Sequence, residues 1–142
     1  MAATAEKVDV IDKVTLDHDA RQRRRLRTVT NGGRDLFIDL AAPASLTPGD
    51  KLVLGSGSAV EVQGAEELLL EIVPGAGVSL SRIAWHLGNR HTPTQVLGDR
   101  LRIRADHVLA HMLVGLGATV RELSAVFEPE TGAYAHGNSG HH

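Results

Sequence analysis

Cysteine is absent from this 142-residue chain. That excludes disulfides and thiolate metal sites, and a reducing cytoplasm is the expected compartment. Aromatic residues are scarce, with one Trp, one Tyr and two Phe. Sheets that read single-stranded RNA stack bases on exposed aromatic rings, so this composition suits that role poorly. The formal net charge of -2 also argues against general nucleic-acid binding. No apolar run is long enough to span a bilayer, and the N-terminus lacks the basic-then-apolar pattern of a signal peptide. A chain of this length has room for one ordinary domain or two small ones. Each small domain would have a thin core that benefits from a partner, which favours oligomerisation.

What is present in quantity is histidine, unevenly placed. Six of the eight lie beyond residue 90, and the front half has only His18. Imidazole is the commonest protein ligand for nickel, copper and zinc, so this placement points first to a metal site. Charge is uneven too. Arg21, Arg23, Arg24, Arg25 and Arg27 form a basic segment, expected to be a solvated strand edge that discourages pairing between molecules.

Two halves differ in period, and the fold class they predict is a small all-β unit followed by an α+β unit. Short alternating or β-branched runs span 8–16, 24–30, 36–40, 51–54 and 60–63. Turn signals such as Asn31-Gly32-Gly33 and Thr47-Pro48-Gly49-Asp50 separate them. The first domain is therefore placed at 1–64. Asn31-Gly32, tolerant of positive φ, makes 24–40 the most credible hairpin. After residue 64, a strand over 66–73 ends at Pro74-Gly75. Leu80, Ile83, Ala84 and Leu87 then fall at helical spacing behind Ser79 as N-cap, with Gly88 as the positive-φ residue at the far end. Asn89 is a further candidate for left-handed backbone. Strands over 94–97 and 100–104 flank Gly98-Asp99. A second helix starts near Asp106 and closes at Gly117, and 118–127 is the last strand. This β-α-β-β-α-β order predicts a ferredoxin-like sandwich over 65–127. The remainder, 128–142, has almost nothing to bury and is expected to be a disordered, histidine-containing tail.

Three motifs in order carry a family resemblance. They are His86-Leu87-Gly88-Asn89-Arg90-His91-Thr92-Pro93, then Asp106-His107-Val108-Leu109 with Met112-Leu113 and Gly117, then Phe127-Glu128-Pro129-Glu130 leading through Gly132-Ala133-Tyr134 to His136. Together they resemble the UreE family of urease accessory proteins, strongly over 80–136 and only in general layout over the β half. The resemblance implies a peptide-binding type of N-terminal β domain and a ferredoxin-like metal-binding domain through which the chain dimerises. It also implies a cytoplasmic chaperone that delivers nickel for urease maturation, with a maturation GTPase and the urease apoprotein as partners.

His91 lies just past a helix end in a polar turn held by Pro93, positioned yet accessible, and is the best ligand candidate. One imidazole makes a feeble site, but a two-fold interface brings it in twice. In the family the histidine of this motif holds the ion between protomers; the expected assembly is a homodimer, with further pairing into a tetramer left open. His107 and His111, four residues apart, share one helix face at a chelating spacing. His107 matches a peripheral-site histidine of the family, whereas Ala105 stands where some members carry another. His136 is the tail residue that fits the family pattern. Long histidine-rich tails of some relatives are not matched here, which weakens a storage role. His86 reads as structural.

A zinc peptidase is excluded because Val108 occupies the position where a glutamate would act as general base. Asp99, Asp106 and Glu128 form no recognised catalytic pairing with the cluster. The expectation is a metal carrier, not an enzyme, that hands on nickel and in vitro also binds zinc or copper. The alternative is a non-catalytic peptide-binding scaffold that buffers metal incidentally.

Overall fold

Period-two alternation in Val10–Leu16 puts Val14 and Leu16 on one side and Thr15 on the other, which is the signature of a half-buried strand. This computed structural model describes residues 8–131, and the chain divides into two units, Met1–Ala65 and Glu66–His142. In the first unit β1 (Val10–Leu16), α1 (His18–Arg21), β2 (Arg25–Val29), β3 (Asp35–Asp39), β4 (Lys51–Val53) and β5 (Ala59–Gly64) follow in order. One sheet has order β1-β5-β4, with β1 and β5 parallel, and β2-β3 is a separate antiparallel pair. Val14, Leu16, Ile38, Leu46, Val60 and Val62 form the core.

Three features of this unit depart from the sequence reading. The helix α1 is unforeseen; Asp17 caps it by accepting from the Ala20 N–H at 2.9 Å, and four residues are too few to show a helical period. Arg21, expected on a solvated edge, is only 1% exposed, and its Nε donates to the Leu16 carbonyl at 3.3 Å. The Leu16 carbonyl, which also accepts from the Ala65 N–H at 2.8 Å, thus gives the buried guanidinium a partner. At the hairpin turn the positive φ belongs to Gly33, not to the Asn31-Gly32 pair. Gly32 is needed for closeness instead: a Cβ there would lie 2.7 Å from Asp12 Oδ2. Asp12 accepts from Thr30 Oγ1 at 2.5 Å, the Lys13 N–H at 2.8 Å and the Gly32 N–H at 3.0 Å. The Thr30 bond leads the effects that hold its carboxyl below the usual aspartate value.

The second unit runs β6 (Glu66–Pro74), α2 (Leu80–Asn89), β7 (Gln95–Val96), β8 (Leu101–Arg104), α3 (His107–Leu116) and β9 (Ala118–Val126). Its antiparallel sheet has order β7-β8-β6-β9, the ferredoxin-like arrangement that the β-α-β-β-α-β order predicted. Leu70, Ile72, Leu101 and Ile103 of the sheet meet Ile83 and Leu87 of α2 and Leu113 of α3. Ser79 caps α2 by accepting from the Arg82 N–H, and Gly117 at φ 105° closes α3. No helix of the described residues is long and apolar enough to cross a membrane.

Opposite the helices, Glu71 is buried at the centre of the sheet. Arg121 Nη2 donates to its Oε1 at 2.6 Å, Arg100 Nη1 to the same oxygen at 3.2 Å, and Arg102 Nη2 to Oε2 at 3.0 Å. The Arg121 hydrogen bond leads the effects that lower its pKa, against desolvation, which raises it. A buried carboxylate is tolerable because guanidiniums surround it.

Two predictions follow from this packing. A Cβ on Gly75 would lie 2.2 Å from the Gly117 carbonyl oxygen, so Gly75→Ala should destabilise the protein by roughly 1–3 kcal/mol in urea unfolding. Glu71 has a folded pKa below its ordinary value of 4.5. Its stabilisation is therefore complete above that value and is lost as pH falls through the folded pKa. Thermal melts of Glu71→Gln and the parent should differ most near neutral pH and converge in acid below 4.5.

Candidate metal centre

Leu87 is wholly buried on α2, and the chain must leave the helix immediately beyond it. Three main-chain bonds make the exit: the N–H groups of Arg90 and Thr92 both donate to the Leu87 carbonyl, at 3.2 and 3.0 Å, and His91 N–H donates to the Gly88 carbonyl at 3.0 Å. The last two form the paired closure of a Schellman motif, which needs a left-handed residue at the position after the cap. His91 fills it with φ 58°, the one positive φ outside glycine among the described residues. Gly88 and Asn89, the residues expected to adopt that conformation, are instead inside the helix. The reason is that α2 runs past the last apolar residue of its stripe, so the left-handed position falls on His91.

An L-residue other than glycine or asparagine is disfavoured here by about 1–2 kcal/mol. Such strain concentrates at functional positions. His91 is exposed, and Pro93 follows two residues later.

His91 lines a cavity of about 310 Å³ together with Arg90, Thr92 and Pro93 from its own loop and Arg104, Ala105, Asp106 and Leu109 from the β8–α3 junction. Asp106, the only acid in the lining, is committed to capping α3: its Oδ1 accepts from the Val108 and Leu109 N–H groups at 2.9 and 3.0 Å. Arg104 Nε donates to Glu67 Oε1 at 3.0 Å, and its guanidinium lies 5.0 Å from the Phe127 ring centre.

Among the described residues no other histidine lines this cavity. His107 opens α3 and His111 follows one turn later, both exposed, and neither lines the cavity. His86 is partly buried and meets the Trp85 ring edge-on at 5.0 Å. His136 lies outside the described residues, as do His141 and His142. The root of their segment is described: Glu128 N–H donates to Gln95 Oε1 at 3.1 Å and Glu130 N–H to the Thr94 carbonyl at 2.8 Å. Residues 128–130, expected to begin a disordered tail, are thus tied to the strand that follows the His91 loop.

Among the described residues no three histidine, aspartate or glutamate side chains are grouped to hold a metal ion. His91 is, among the described residues, the one imidazole that lines this cavity. Asp99 pairs with Arg100 at 3.0 Å, and Asp106, which shares the cavity with His91, caps α3. The cavity and its two arginines were not visible in the sequence. Arg90 and Arg104 are distant in number, and only the return of β8 beside the α2 exit brings them together.

Comparison with known proteins bears on both units. The family described as UreE urease accessory protein, N-terminal domain, matches residues 2–65, and its C-terminal domain matches residues 67–142. A urease accessory protein UreE of Bradyrhizobium sp. (strain ORS 278) is 50% identical over 130 residues, covering 92% of this chain and 62% of that protein. One from Rhodopseudomonas palustris (strain BisB18) is 51% identical over 124 residues, covering 87% and 59%. Another, from Ruegeria pomeroyi, is 46% identical over 131 residues, covering 92% and 86%. The chain thus spans about three-fifths of the first two relatives. With both halves matched and identity near one half over most of its length, the chain belongs to the UreE family of urease accessory proteins.

Proposed function

We propose that this protein carries nickel for the assembly of the urease active site and performs no bond-making catalysis. The ion is held where His91 of two protomers meet across a two-fold axis, and histidines of the C-terminal segment, His136 first, complete its coordination. The observation that carries this reading is His91 itself: an imidazole held exposed at a left-handed position that glycine would fill with less strain. Neutral imidazoles at an interface suit a carrier, because they bind nickel firmly and release it with little reorganisation.

Two further observations support the assembly. Helix α3 buries only Leu113 completely and leaves Val108 and Val114 60% and 59% exposed, while Trp85 of α2 is 63% exposed. Such apolar surface suits contact with a second copy. Glu130 is bonded to Thr94, three residues from His91. His136 is six positions beyond Glu130, a reach of at most about 22 Å. The exposed pair His107 and His111 serves as a weaker, peripheral site. Zinc and copper bind the same imidazoles in vitro, and selectivity in the cell comes partly from the receiving partners. Those partners are the maturation GTPase and the urease apoprotein, met in the cytoplasm.

The β half supports a second, compatible role as a docking scaffold. Phe37 is 54% exposed on β3 beneath the Arg27 guanidinium, 5.1 Å from its ring centre. If this half docks the partner, Phe37→Ala should weaken partner capture about tenfold in a pull-down titration and leave nickel uptake unchanged.

Nickel titration by calorimetry, with molar mass followed by light scattering, tests the carrier reading. The parent should take up about one tight nickel per two chains. His91→Ala should lose that step, and equal uptake by the mutant would refute the site. His91→Gly separates strain from function: it should raise unfolding stability by about 0.5–1 kcal/mol while abolishing the tight nickel step.

A further inference from the structure

The β2–β3 pair ends in an open edge. Leu40 N–H donates to the Arg24 carbonyl at 3.0 Å and Thr30 N–H to the Arg34 carbonyl at 2.8 Å. Bonded and unbonded pairs alternate in an antiparallel ladder, so Leu36 and Ile38 direct their main-chain groups to β2, whereas those of Asp35, Phe37 and Asp39 point to the other side. On β4, Leu54 N–H donates to the Ser58 carbonyl and Val62 N–H to the Asp50 carbonyl, both at 2.8 Å. By the same alternation Lys51 and Val53 point away from β5. Among the described residues no main-chain bond uses these outward groups. The two edges border one groove of about 330 Å³, lined by two unbroken runs of chain, residues 36–40 and 51–54. Phe37 and Val53 line it while 54% and 60% exposed.

An exposed edge invites a further strand unless charge forbids it, and here the charge is selective. Antiparallel pairing with β3 of a second copy about Phe37 would set Asp35 opposite Asp39, and like charges so placed are destabilising. Asp39 has Arg25 at 3.3 Å. Asp35 faces Val29 across the pair and has no ion pair among the described residues. We propose that the β3 edge takes up an extended segment of a partner protein as an added antiparallel strand, with an apolar residue beside Phe37 and a basic residue beside Asp35. This deepens the docking reading of the β half and rests on it for the partner; the strand site itself rests on the edge, the groove and the charge. The residue opposite Phe37 exchanges two main-chain bonds with it, and its side chain falls on the exposed face next to the Phe37 ring. Two residues further on, the added chain passes Asp35, where a lysine or arginine meets the unmatched carboxylate. Main-chain bonds supply affinity and the alternate side chains supply selection.

The probe is the peptide acetyl-Thr-Thr-Val-Thr-Lys-Thr-amide, titrated into the full chain while amide NMR shifts of residues 35–39 and 51–53 are followed. Saturable shifts at Phe37 and its neighbours are expected. A second probe, methylated on the valine nitrogen, keeps every side chain but cannot donate to the Phe37 carbonyl, and should bind about tenfold more weakly. Asp35 is exposed, so Asp35→Lys should melt like the parent. That variant should bind the first probe about threefold more weakly and regain affinity when the probe's lysine is replaced by glutamate. No saturable shift with the first probe, or equal binding of the methylated one, overturns the added strand. Binding of both charge forms alike by the parent and by Asp35→Lys overturns the basic selection. Partner capture by Phe37→Ala reports on the docking reading separately. Unchanged capture refutes that reading and leaves the edge site standing, whereas lost capture with equal binding of the methylated probe keeps docking and removes the strand.

Discussion

The Leu87 carbonyl governs the site. It accepts from both Arg90 and Thr92, and its own side chain is fully buried between helix and sheet. The loop carrying His91 is thereby fixed to the core of the second unit through hydrogen bonds that no side chain mediates. The backbone of Arg90 belongs to the same closure, because the capping residue and the left-handed residue are consecutive. The backbone of both residues is thus set by one closure.

Most of the framework was legible in the sequence because it depends on local periodicity. The alternation in Val10–Leu16, the spacing of Leu80, Ile83 and Leu87, the Ser79 cap and the Gly117 stop each announce themselves within one or two turns of chain. The strand order β7-β8-β6-β9 followed from the order of elements. What the local pattern could not supply was long-range. Gly32 reads as a turn residue, yet its constraint comes from Asp12, twenty positions earlier. Arg21 belongs to a run of arginines, and only the fold shows that it points inward.

The metal centre divides in the same way. His91 was legible as a residue beyond a helix end, but its left-handed backbone was not, since Gly88 and Asn89 are the better local candidates. Where two glycine-like positions precede a histidine, propensity favours the earlier ones, and the length of the helix decides otherwise. His107 and His111 were correctly expected to share a helix face, and both are exposed on α3. That face is not gathered with His91.

The second unit has two dissimilar poles. At one, Gly75 and Gly117 approach too closely for a side chain, and Gly77, Gly98 and Gly117 all take positive φ. At the other, the single left-handed residue is a histidine, and the loops leave a cavity. The pairing of Glu66 with Val126 brings the chain into this unit and out of its sheet at that same second pole. The chain therefore enters and leaves this sheet at the end of the domain where His91 is mounted, away from the glycine-closed pole.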